Sequence, residues 1–97
     1  MVERTLLVKA RLGLHARAAA KLVRVASGFQ SKVLLRRIDD DAVNVDAKSI
    51  LSVLMLAASC GTRLQASAEG IDEEAAMNAI ARLFAESFGE VEVDCAK

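Results

Sequence analysis

The sequence predicts an α+β open-faced β-sandwich: a four-stranded antiparallel sheet with three helices on one face, in the order β-α-β-β-α-β-α. Three observations carry this expectation. Segments of two-residue alternation are interleaved with segments whose apolar residues recur every three or four positions, the periods of strand and helix. Gly13, Gly28, Gly61 and Gly70 fall between those segments, where turns are needed. The 97 residues are 54% hydrophobic but only 3% aromatic, which suits one aliphatic core, since single domains run to roughly 100–150 residues.

Each element follows in order. Residues 2–9 mix β-branched and apolar residues with polar ones, a strand pattern, and Gly13 breaks the chain. From Ala16 to Ser27 the spacing of Ala19, Leu22, Val23 and Ala26 is helical, with Lys21 and Arg24 on the outer face. Gly28 stands where a left-handed helix cap is expected. Lys32 to Ile38 reads as a strand, Asp39-Asp40-Asp41 as a turn and Ala42 to Val45 as a short returning strand. Ser49 opens a second helix to about Ala57. Thr62 to Glu69 alternates with Leu64, Ala66 and Ala68 on one face, and Asp72 is placed to cap a long helix to about Ser87. That helix carries an apolar stripe of Ala76, Ile80, Leu83, Phe84 and Phe88. Val91-Glu92-Val93 alternates like a strand, so the tail 89–97 is either frayed or an extra strand of a single domain spanning 1–97.

Composition removes several function classes. Thirteen basic and thirteen acidic residues cancel, so no global field draws the chain to nucleic acid or to a membrane surface. Three Phe, no Tyr and no Trp leave little for base stacking. The most apolar run, Ile50 to Ala58, which includes Ser52, is far short of the ~20 residues that span a bilayer, and no signal peptide is visible, so a cytoplasmic protein without membrane insertion is expected. Cys60 and Cys95 form no CxxC pair and there is one histidine. A zinc site of ordinary spacing therefore cannot be assembled; no metal and no cofactor are expected, and the cytoplasmic reading implies reduced thiols.

The single histidine lies in Gly13-Leu14-His15-Ala16-Arg17, between a strand and a helix. A lone histidine is most often structural or solvated. Here, however, it meets the unpaired amides and positive pole of a helix N-terminus. Arg17 adds a fork of donors that suits phosphate oxygens, and Gly13 allows the turn that brings the ring over the helix end. A nucleophile beside a phosphate cradle is the arrangement of a covalent phosphoryl acceptor. With no second histidine or nearby carboxylate to act as base, a carrier is more natural than a hydrolase.

Gly13-Leu14-His15-Ala16-Arg17-Ala18-Ala19 resembles the active-site motif of the HPr family, histidine-containing phosphocarriers of the bacterial phosphotransferase system. Asp46-Ala47-Lys48-Ser49-Ile50 resembles that family's regulatory-serine motif, and Glu69-Gly70-Ile71-Asp72-Glu73-Glu74-Ala75 its turn into the last helix. The resemblance covers nearly the whole chain and implies the open-faced sandwich already inferred. It implies that His15 takes a phosphoryl group on Nδ1 from phospho-enzyme I and passes it to EIIA-type proteins, in sugar uptake or its regulation. It also implies that Arg17, with the amides of Ala16 and Arg17, holds the phosphate, and that HPr kinase/phosphorylase is a further partner at Ser49. As a residue, Ser49 is equally a good helix N-cap, and both roles can hold together.

The second helix spreads apolar residues over more of its circumference than one sheet face can bury, which marks a docking patch. Ile50, Leu51, Leu54 and Met55 are the docking candidates, with Leu51, Leu54 and Met55 expected to be exposed and Val53 and Leu56 in the core. Arg24 is a candidate contact for an acidic partner. Two features depart from the family pattern. About three extra residues fall near Arg37 to Val43, and Ala18 replaces the usual proline of the helix's first turn, where its amide is one more candidate phosphate donor. A monomer is expected. Two other readings remain open: a non-catalytic regulatory module of the same fold, in the nitrogen branch or under Ser49 control, acting on a transcription factor or enzyme; and a small-molecule-binding domain, for which no polar pocket signature is seen.

Overall fold

Strand alternation builds one buried and one open sheet face. The computed structural model describes residues 1–38 and 44–89. Within them, β1 (Val2–Leu7), β2 (Lys32–Arg37), β3 (Val45–Asp46) and β4 (Arg63–Glu69) form one antiparallel sheet in the order β1-β4-β2-β3. The register sets Leu6 opposite Leu64, Leu35 opposite Ala66, and Val33 opposite Ala68. All six are buried, whereas Glu3, Arg63, Lys32 and Glu69 are exposed. Adjacent residues point to opposite faces, so this register fixes the face that receives the helices.

Three helices cover the apolar face. From α1 (Ala16–Ser27), Ala18, Ala19, Leu22 and Ala26 are buried; from α3 (Glu73–Ala85), Ala76, Met77, Ile80 and Phe84 are buried. The short α2 (Ile50–Met55) contributes Val53 and packs on α1, while α3 lies on β1 and β4. Each large aliphatic or aromatic side chain so buried is worth roughly 1.5–3 kcal/mol relative to exposure. The α+β sandwich and its element order are as the sequence predicts.

Several local expectations are corrected. The first strand stops at Leu7 instead of residue 9, and α2 stops at Met55 because Ala57 turns to φ +51. Gly28 is right-handed, at φ −76, because the chain tightens into another turn in which Gly28 N–H donates to Val25 O and Phe29 N–H to Ala26 O. Lys21 does not lie on an outer face; its Nζ donates to Phe88 O at 2.6 Å. Asp72 makes no side-chain cap bond to α3, since its carboxylate accepts from Gln30 N–H, Ser31 N–H and the Ser31 hydroxyl. The last helix ends at Ala85, and Phe88 reaches the core through a 3-10 turn, Ser87–Gly89, in which all three residues have positive φ. Its ring meets Phe84 edge-on at 4.9 Å between centroids. The reduced thiol expected at Cys60 is also corrected: this residue is disulfide-bonded. The expectation rested on a cytoplasmic setting, whereas pairing depends on which cysteines the fold brings within bonding distance. Cys95, the acidic turn 39–41, residues 42–43 of the returning strand, and the alternating tail 91–93 lie outside the described residues.

Candidate functional site

The site is built by a loop pressed against the end of α2. Gly13 has φ +68, and a Cβ there would stand 2.6 Å from Ala58 O and 2.8 Å from Ser59 Cα. Only glycine permits that close approach at positive φ. The next residue fastens the contact, with Leu14 N–H donating to Ala58 O at 2.8 Å. Leu14 is buried, so the loop is anchored immediately before His15.

His15 is itself the N-cap of α1. Its backbone is extended, at φ −77 and ψ −177, and its carbonyl accepts from Ala19 N–H at 2.8 Å. The side chain turns back over the helix end, where Arg17 N–H donates to Nδ1 at 3.2 Å. This is an N-cap bond made by an imidazole, and it satisfies one of the amides a helix start leaves unpaired. An accepting Nδ1 carries a lone pair, so in the neutral ring the proton resides on Nε2. The ring is half-buried beside a shallow hollow of about 210 Å³ lined by Leu12, Leu14, His15, Ala57, Ala58 and Ser59.

The structure brings His15, Ala16, Arg17 and Ala18 to this helix end. Ala16 and Arg17 are exposed, while the Ala18 side chain is fully buried against the core. Arg24 is exposed in the last turn of α1, eight residues from Ala16 and so about 12 Å along the axis. Ser49 caps α2, its Oγ accepting from Ser52 N–H at 3.3 Å. Leu51 and Met55 are 71% and 75% exposed and Ile50 is also exposed, whereas Val53 and Leu56 are buried. Leu54 departs from expectation: it is only partly exposed because it packs against the core. Among the described residues no group of side chains could hold a metal ion, and no helix is long and apolar enough to cross a membrane.

Two parts of the site escape sequence reasoning. Leu12 is 69% exposed at the rim of the hollow; a large apolar residue between Arg11 and Gly13 in a turn was the available signal. The wall formed by 57–59 has no signal, because it comes from a distant segment through backbone contacts.

Comparison with known proteins places these features in context. The family model described as "PTS HPr component phosphorylation site" matches residues 2–86. The chain is 49% identical over 90 residues to phosphocarrier protein HPr of Treponema pallidum (strain Nichols), covering 93% of this chain and 99% of that protein. It is 37% identical over 89 residues to phosphocarrier protein NPr of Escherichia coli (strain K12), covering 92% and 97% respectively. The crystal structure of HPr-C-His from Thermoanaerobacter tengcongensis is similar with a TM-score of 0.87 at 42% identity, covering 94% of this chain and 99% of that one.

Proposed function

The chain belongs to the HPr family, phosphocarriers of the phosphotransferase system, and on that basis we propose that His15 is the residue that carries the phosphoryl group. The observation that supports this reading is the position of Nδ1, turned to the Arg17 amide at the start of α1. In the reaction, the Nδ1 lone pair attacks phosphorus as the bond from phosphorus to the donor breaks, and the proton on Nε2 stays in place. The Arg17 N–H releases Nδ1 and donates to a phosphoryl oxygen, joined by the Ala16 amide and the Arg17 guanidinium. These donors and the positive pole of α1 stabilise the added charge. The Ala18 amide, free of the ring a proline would bring, is one more donor in the same turn. Return of the phosphoryl group to an acceptor reverses the sequence, which is the behaviour of a carrier that turns over no substrate of its own.

The donor in this reading is phospho-enzyme I and the acceptor an EIIA-type domain of sugar uptake or its regulation, met in the cytoplasm. Ile50, Leu51 and Met55 supply the apolar docking surface. Ser49 is a regulatory acceptor for HPr kinase/phosphorylase: a phosphate there adds a dianion next to Ile50 and Leu51 and repels an acidic partner.

The test mixes the protein with enzyme I and labelled phosphoenolpyruvate. Acid-labile label is expected on the wild type and absent from His15→Ala. Label retained by that variant, or none on the wild type, sinks the assignment. Adding sugar-branch and nitrogen-branch EIIA proteins separately then identifies the acceptor by which one drains the label.

A further inference from the structure

We propose that Arg37 is a positioning residue for phosphoryl transfer at His15, acting through the strained turn that ends α2; the proposal rests on the reading of His15 as the phosphoryl acceptor. Arg37 is the last residue of β2, and nothing in its sequence neighbourhood links it to the histidine loop. In the fold, its Nη1 donates to Leu56 O at 3.3 Å and Ala57 O at 3.4 Å. These are carbonyls at the end of α2, where a helix leaves its acceptors unpaired and its dipole negative. A guanidinium supplies both the donors and the opposite charge.

The clamped residue is under strain. Ala57 adopts φ +51, a conformation that alanine avoids and that persists only where its surroundings impose it. Two contacts impose it here: Arg37 on the carbonyls of 56 and 57, and the bond from Leu14 N–H to Ala58 O at 2.8 Å. That second contact lies one residue from His15. Ala57, Ala58 and Ser59 also wall the hollow beside the ring, and Gly13 lies against the same backbone, where an added Cβ would stand 2.6 Å from Ala58 O. Arg37 thus holds Ala57, Ala57 aims Ala58 O, and Ala58 O fixes the loop that presents Nδ1.

This chain of contacts makes a specific prediction, because glycine adopts positive φ without strain. If Arg37 works by holding Ala57 in place, a glycine at 57 makes the clamp dispensable. Initial rates of labelling by enzyme I and labelled phosphoenolpyruvate are measured against carrier concentration. Arg37→Ala is expected to lower kcat about tenfold with KM within about twofold, as displaced reactive groups do. Arg37→Lys, which keeps a cationic donor, is expected to recover most of the loss. Placed on an Ala57→Gly background, Arg37→Ala is expected to change kcat by less than about twofold. A loss of equal size in both backgrounds overturns the proposal, as does a change confined to KM or an Arg37→Ala protein as fast as wild type. A wild type that takes no label overturns the reading of His15 as well, so the two failures are told apart.

Discussion

At the scale of single residues, the site depends on three backbone positions around one side chain. His15 caps its own helix, Gly13 lets the loop touch Ala58, and Ala57 bears positive φ without being glycine. The turn at Gly13 and the place of His15 at the start of a helix were legible in the sequence, whereas the contact of that turn with Ala58 was not, since it joins segments far apart in the chain. Ala57 was not, because alanine continues a helix by propensity, and only the contacts of its carbonyl and its neighbour turn it. Its strain has a measurable consequence. Ala57→Gly is expected to raise stability by about 1 kcal/mol, the relief of a left-handed alanine less the extra entropy of an unfolded glycine. Urea unfolding at neutral pH checks this, and a midpoint at or below that of wild type contradicts it.

At the scale of elements, the connections matter more than the helices and strands they join. Asp72 was expected to cap α3, and instead its carboxylate ties the start of α3 to the start of β2. The hydrogen bond from the Ser31 hydroxyl, then those from the Gln30 and Ser31 amides, hold this carboxyl below its ordinary value of 3.8. Glu73 is also lowered, first by the Gly70 N–H and then by the N-terminal ammonium of Met1, which stands 3.2 Å away. A carboxylate depressed in the folded state binds its proton more readily when unfolded. Its stabilisation is therefore present above the unfolded value and is lost as pH falls through the folded one. Wild type is expected to lose stability progressively below about pH 4, and Asp72→Asn, already weaker at neutral pH, to lose less over the same interval. Urea midpoints compared at neutral and at strongly acidic pH test this; parallel curves for the two proteins would show that Asp72 contributes nothing to the acid limb.

At the scale of the whole molecule, an α+β sandwich buries one sheet face and leaves α2 with two sides, one in the core and one in solvent. Leu51 and Met55 are the exposed side, and Leu54 is drawn partly inward. On the proposed reading of His15 and of α2 as the docking helix, Leu51→Glu is expected to raise KM for enzyme I about tenfold, as loss of an apolar anchor does, while the thermal midpoint and labelling by phosphoramidate stay at wild-type levels. An unchanged KM would remove Leu51 from the docking surface. Local sequence was enough to set the order of elements, the buried face of each strand and the place of the histidine loop. Those follow from period, glycine placement and the unpaired amides of a helix start, each of which acts over a few residues. Long-range packing was needed for Asp72 to brace β2, for Phe88 to enter the core through a positive-φ turn, and for the end of α2 to wall the histidine loop under Arg37. Those depend on segments far apart in the chain arriving at one place, and hydrogen bonds between such segments leave no periodicity behind.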